Sequence, residues 1–160
     1  MLQIILLLCT LPSDGTLVFV VNGPYTKLVE RQTGSPVSHA AIILYNNRVP
    51  TVYEATPPKV QKTPLTSWLK VAKELNSSYP KMDVIYVSPN WTQKQLYEMK
   101  RYAESQLGRP YAARGYMFHR EVRGVHCAQF VADVLKAGGV KTHGVHESPG
   151  SLLEESKKWK

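Results

Sequence analysis

Apolar positions along this chain fall into short β-branched runs and longer stripes at helical spacing, each closed by turn-forming residues. Thr16 to Val21 (TLVFVV) is a β-branched apolar run stopped by Asn22-Gly23-Pro24, which predicts a buried strand. Tyr25 to Arg31 predicts a short helix, ended by Thr33-Gly34-Ser35-Pro36. Val37 to Tyr45 (VSHAAIILY) is apolar on both faces, the pattern of a strand in the middle of a sheet. Asn46-Asn47 signals a turn, because Asn tolerates positive φ, and Pro50 to Ala55 returns as the next strand. Thr63-Pro64 opens a helix with Pro at its first position and an apolar stripe of Leu65, Trp68, Leu69 and Ala72. Met82 to Val87 is a further strand. Thr92 and Gln95 form a capping box ahead of Leu96, Met99, Ala103 and Leu107, and Gly108 with Pro110 closes that helix. A loop rich in Arg, Tyr and Gly follows. The last clear helix starts near His126, with Cys127, Phe130, Val131, Val134 and Leu135 on one face, and Gly138-Gly139 ends it. Residues 143–160 read as a polar C-terminal tail. Strands followed by helices, with no internal repeat, predict an α+β fold.

Composition narrows this picture only a little. The 160 residues suit one domain, and 43% hydrophobic with 20% charged residues is ordinary for a globular protein. Twenty Lys+Arg against twelve Asp+Glu give a net charge of +8, which suits an anionic membrane surface or another acidic partner, or simply a soluble protein of high pI. No nucleic-acid motif or Gly-rich phosphate loop accompanies the charge. Two cysteines, Cys9 and Cys127, are too few for a disulfide framework. Leu2 to Cys9 is almost wholly apolar and too short to span a bilayer. Residues 1–12 therefore read either as a short signal-like segment or as a buried first element. The first reading makes the protein exported, periplasmic or membrane-peripheral, and the second makes it cytoplasmic. Asn76-Ser77-Ser78 and Asn90-Trp91-Thr92 match glycosylation sequons, which matter only in a eukaryotic secretory pathway.

The candidate chemistry lies in three residues. A two-residue turn at Asn46-Asn47 sets Tyr45 opposite Arg48 and therefore His39 directly opposite Glu54, on the same side of the sheet. A carboxylate there accepts the imidazole N–H, fixes its tautomer and stabilises the imidazolium. Cys127 stands at a helix start, where the helix dipole favours thiolate and the free N–H groups offer part of an oxyanion hole. Arg109, Arg114, Arg120 and Arg123, just upstream, add positive charge for the thiolate or for an anionic substrate group. The order of events expected is attack of Cys127 on an acyl carbon, a thioester, and hydrolysis by water, with His39 as base and then acid. Taken singly, a Cys on an apolar helix face is more often a core residue, and a strand His–Glu pair is often structural. His126 adjoins Cys127 but is expected to point elsewhere on the helix. His143 and His146, in a Gly-rich tail without acidic or Cys partners, are too little for a metal site, so no metal or cofactor is expected.

At these residues the chain resembles the permuted NlpC-like papain-fold amidases, the YiiX/YaeF-type group with poxvirus relatives. Asp14-Gly15-Thr16-Leu17-Val18-Phe19 resembles that family's Gly-Asp-Leu-Val-Phe opening strand, and Thr33 to Ile42 its Ser-x-x-Ser-His-x-Gly-Ile segment. Val52-Tyr53-Glu54-Ala55 resembles its Glu-Ala strand, Leu107 to Tyr111 its Gly-x-Pro-Tyr loop, and His126 to Val131 its Cys-bearing helix. The resemblance spans about residues 14 to 139, and its order His, Glu, Cys is that of the permuted branch. It implies a papain-like hydrolase domain over residues 13–142, with an antiparallel barrel-like sheet packed on the helix that carries the Cys. It also implies cleavage of amide bonds in peptides, cell-wall peptides or lipid-linked amides. Tyr111 matches a pocket residue that orients substrate, and Ser38, beside His39 in the matched segment, is the second substrate-binding candidate. The chain departs from the family at Thr16, at Ala40 or Ala41, at Ala112, and at Ala128-Gln129, positions that line the pocket and bear on substrate. Two alternatives stand beside the amidase reading. One is a lecithin–retinol acyltransferase-like acyltransferase or phospholipase, a group that generally carries a second His where this chain has Glu54. The other is a non-catalytic relative that binds ligand in the inherited cleft. Oligomeric state is not legible.

Overall fold

A computed structural model describes residues 11–112 and 124–159; the apolar run Leu2 to Cys9 and the loop arginines 114, 120 and 123 lie outside the described residues. Five strands form one antiparallel sheet. They are β1 (Thr16–Val21), β2 (Val37–Asn46), β3 (Val49–Thr56), β4 (Lys59–Pro64) and β5 (Asp83–Val87), in the order β4-β3-β2-β1-β5. The helices are α1 (Thr26–Thr33), α2 (Leu65–Ser78), α3 (Gln93–Ser105), α4 (Cys127–Ala137) and α5 (Pro149–Ser156), with a 3-10 turn at Gly144–His146. β2 is central and its apolar residues are buried, as its two-faced apolar pattern requires.

Alternation along the strands sorts side chains to two faces. Leu17, Phe19, Ala40, Ile42 and Leu44 turn to the main core, where Met99 and Ala103 of α3, Phe130, Val131 and Val134 of α4, and Leu152 of α5 meet them. Val18, Val20, Ala41, Ile43 and Val52 turn the other way, onto Leu65 and Trp68 of α2. The capping box at Thr92 forms as the sequence predicts, with Gln95 N–H donating to the Thr92 hydroxyl and Thr92 N–H to the Gln95 side chain.

Three expectations need correcting. The hairpin turn is Asn47-Arg48, both at positive φ (49° and 68°), with Asn46 opposite Val49 and Ile42 opposite Tyr53. This displaces the expected register by two residues. A two-residue slip keeps every side chain on its face, so His39 and Glu54 become diagonal neighbours on one face instead of direct partners. A second strand, β4, precedes α2, and Pro64 is the N-cap residue of that helix rather than its first turn. Only Val60 of β4 is buried, because this is the sheet's edge, and an edge strand carries little apolar signal. Finally, the expected polar tail contains a helix, α5, that packs on the core. Ser148 caps α5 through a capping box with Ser151, Pro149 sits in its first turn, and Leu152 and Leu153 enter the main core. Two adjacent leucines give no helical period, which is why the pattern of apolar positions misses this helix.

Candidate active site

β2 carries an irregularity next to the site, which leaves His39 in alternation with Ala41 and Ile43 and changes the face of Val37 and Ser38. Val20 of β1 pairs with His39, but the next residue, Val21, pairs with Val37, so Ser38 is an extra residue. Such a bulge re-aims the strand's side chains. Val37 and Ala40 both enter the main core, while His39 turns to the opposite face, toward α2. There its Nε2 lies 2.7 Å from Glu54 Oε2. Glu54 is buried and accepts two further bonds, from Gln61 Nε2 on the facing strand β4 (3.2 Å) and from Trp68 Nε1 on α2 (3.3 Å). Burial alone favours a neutral carboxyl, but the bonds from His39, Gln61 and Trp68 reverse that and hold Glu54 below its ordinary value. Gln61 and Trp68 are partners that the sequence reading does not supply; Gln61 is legible only once β4 is recognised.

Cys127 is the first residue of α4 and is buried. Helix geometry leaves the N–H groups of Cys127 and Ala128 without intrahelical acceptors. His126 is the N-cap residue, with its Nδ1 accepting from Gln129 N–H at 3.3 Å. That bond leaves the neutral ring's proton on Nε2. His126 lines the same cavity as Cys127, contrary to the expectation that it points away. The N-cap geometry explains this, since the residue before a helix has extended backbone and does not follow the helix's side-chain directions. Burial opposes ionisation of the thiol, yet hydrogen bonds from His126 and His39, together with the imidazolium charge of His39, bring Cys127 down to about 6. Burial likewise opposes the imidazolium, and bonds to Cys127 and Glu54 outweigh it to raise His39 to about 10. The three residues read from the sequence are therefore brought to one cavity, with the buried Glu54 carboxylate bonded to His39 and the thiol and imidazole each shifted toward its charged form by the other.

The loop between α3 and α4 carries Tyr111 to the same place. Val60 N–H donates to Arg109 C=O (2.8 Å), and Tyr111 N–H to Pro58 C=O (2.9 Å), so this segment lies along the edge strand β4. On its other side Val125 N–H donates to Pro110 C=O (3.0 Å) and Ala112 N–H to Val125 C=O (3.1 Å). The approach is so close that a Cβ on Gly124 would stand 2.8 Å from Pro110 C=O and 2.9 Å from Ala112 N. The Tyr111 hydroxyl is pushed well above its ordinary value by burial and by the negative charge of the Cys127 thiolate, which keeps it a donor. Ser38 lines the cavity too, with its hydroxyl donating to Val20 C=O at 3.3 Å. Arg109 is placed elsewhere. It bonds Gln106 and faces Asp133 of α4 at 3.9 Å, and it does not line the cavity.

Cys127, His39 and Tyr111 line a cavity of about 650 Å³ whose remaining walls are mostly apolar, among them Val20, Leu28, Val29, Val71, Ala72 and Met82. The thiolate, its paired imidazolium and the helix N–H groups suit nucleophilic attack on an acyl carbon, and the wall suits an apolar chain attached to it. Far from this cavity, His143, Glu147 and Glu155 bring one ligand atom each within 4.8 Å of one another, so His143 does have acidic partners. Their mutual bonds account for the grouping. His143 Nε2 pairs with Glu155 (2.7 Å), while Glu147 accepts His143 N–H (2.9 Å) and the Ser151 hydroxyl (2.6 Å), fastening the 3-10 turn to α5.

A five-stranded antiparallel sheet with a cysteine at the start of the helix packed on it defines a papain-like α+β protein in permuted order, His and Glu before Cys. The sequence matches the model of the permuted papain-like amidases, the YaeF/YiiX or C92 family, over residues 12–155, and the chain belongs to that family. Its fold is similar to the crystal structure of the metalloprotein YiiX from Escherichia coli O157:H7, with a TM-score of 0.64 and 22% identity over 91% of this chain and 82% of that one. No curated protein sequence matches the chain.

Proposed function

We propose that this protein is a cysteine amidase that cleaves the amide bond of an apolar acyl group through a thioester on Cys127. The observation that carries the reading is the convergence of Cys127, His39 and Glu54 on one largely apolar cavity, with His39 Nε2 2.7 Å from Glu54 Oε2. Cys127 thiolate attacks the carbonyl carbon, and a C–S bond forms. The N–H groups at the start of α4 receive the developing oxyanion. His39 imidazolium gives its proton to the nitrogen as the C–N bond breaks and the amine leaves. Neutral His39 then takes a proton from water, the hydroxide attacks the thioester, and carboxylate and thiolate are released. Glu54 orients the imidazole and stabilises its charged form, as the carboxylate of a catalytic triad does.

The apolar wall also favours a second reading, in which a lipid hydroxyl or amine replaces water and the acyl group is transferred. Both readings share the thioester and part only at the acceptor. Incubating the protein with a long-chain N-acyl amide, with and without a lipid acceptor, separates them by product. Free fatty acid with released amine supports hydrolysis, and acylated acceptor supports transfer. Cys127→Ala and His39→Ala are expected to lower either rate by about 10²–10⁴-fold or more. Turnover unchanged in both variants excludes this site as the source of activity, and absence of turnover in wild type favours a ligand-binding relative.

A further inference from the structure

The two helices that wall the cavity present an unusual surface. α1 has no buried residue, although it carries Leu28 and Val29. α2 is buried only at Leu65 and Trp68, near its start. Beyond those, Val71 and Leu75 stay out in solvent. Among the described residues eight large apolar side chains are exposed, and four of them edge this one cavity: Tyr25 (68%), Leu28 (47%), Val71 (54%) and Leu75 (36%). They come from α1 and its preceding residue on one side and α2 on the other. The exposed apolar rim is thus continuous with the apolar interior that leads to Cys127.

Charge surrounds the rim. Lys27 and Arg31 on α1, and Lys70 and Lys73 on α2, are all exposed, against Glu30 and Glu74. The whole chain carries +8. Apolar side chains flanked by lysines with long alkyl stems are the composition of a helix that lies in a lipid interface, its ammonium groups reaching lipid phosphates.

We propose that α1 and α2 form a docking surface for an anionic phospholipid bilayer. Tyr25, Leu28, Val71 and Leu75 enter the interface, and Lys27, Arg31, Lys70 and Lys73 lie against the headgroups. The substrate's acyl chain then passes from the bilayer into the cavity without crossing water. This rests on reading the cavity as the acyl site of the Cys127 amidase, and it names where that site meets its substrate.

The test is co-sedimentation of the full chain with vesicles of phosphatidylcholine alone and of phosphatidylcholine mixed with phosphatidylglycerol. Wild type and Cys127→Ala are expected to bind the mixed vesicles alike and the neutral ones more weakly. Leu28→Glu/Val71→Glu is expected to lose at least about tenfold in binding while melting as wild type does, since both positions are exposed. Replacing Lys70 and Lys73 by Gln is expected to weaken binding to the mixed vesicles only. The proposal is overturned if wild type binds neither vesicle, if the double Glu variant binds like wild type, or if added salt abolishes all binding, which would mean adsorption by charge alone. A separate measurement, acylation of wild-type Cys127 by a water-soluble short-chain donor, reports on the chemistry. Vesicle binding without acylation removes the amidase reading and leaves the docking surface standing. Acylation without vesicle binding does the reverse.

Discussion

Cys127 is reached by two imidazoles, and they act from different supports. His39 is held by the buried Glu54 on the sheet. His126 is fixed by the first turn of α4, through Nδ1 and the N–H of Gln129. Because Cys127 stands near 6 instead of the ordinary 9, thiolate is present from about pH 6 upward, and alkylation by iodoacetamide is expected to rise with a midpoint near that value. His126→Asn separates the two duties of that residue. Asn is a good N-cap, so the melting temperature is expected to hold while the alkylation midpoint moves to higher pH. A midpoint that stays in place would assign His126 to capping alone. Glu54 gives a second pH test. Its carboxyl is held below the ordinary 4.5, so its contribution to stability is present above that pH and disappears as pH falls through the folded value. The melting-temperature gap between wild type and Glu54→Gln is therefore expected to be widest near neutrality and to close in acid. A gap that is constant with pH would mean that the charge of Glu54 is not what the site uses.

At the scale of elements, α5 and β4 show what the sequence conceals. Leu152 is fully buried in the main core, against α4 and β2, so Leu152→Ala is expected to cost about 2–5 kcal/mol, measured by urea unfolding. A change below about 0.5 kcal/mol would return residues 143–160 to the status of a surface tail. The signs of α5 were present as Ser148 before Pro149 with Ser151 three residues on, but a capping signature without a following apolar period does not fix a helix. β4 hides because its residues are largely polar at a sheet edge. By contrast β1, β2, α3 and α4 are legible because burial writes their period into the chain. The hairpin register was read two residues out, since Asn46 and Asn47 each tolerate positive φ and nothing in the sequence points to Arg48 taking that conformation. The even size of that slip is why His39 and Glu54 still share a face.

Over the whole molecule, one cavity gathers the candidate site and its surroundings. His39, Glu54 and Cys127 were legible from residue type and position, because a bonded carboxylate–imidazole pair and a helix start are local patterns. Gln61, Trp68, the role of His126 and the apolar mouth were not, because they depend on which elements meet across the cavity. Nothing in the separate sequences of α1 and α2 says that they face each other, yet that juxtaposition forms the acyl site and the membrane-docking rim proposed above. Among the described residues no helix is long and apolar enough to cross a membrane. The most direct measurement of the central claim is the intact mass of the protein after brief exposure to a long-chain acyl donor. The expected result is an acyl adduct located on Cys127, cleared by hydroxylamine as a thioester and absent from Cys127→Ala. An adduct of the same amount in Cys127→Ala, or turnover of the donor with no adduct on Cys127 even when hydrolysis is slowed, would contradict it.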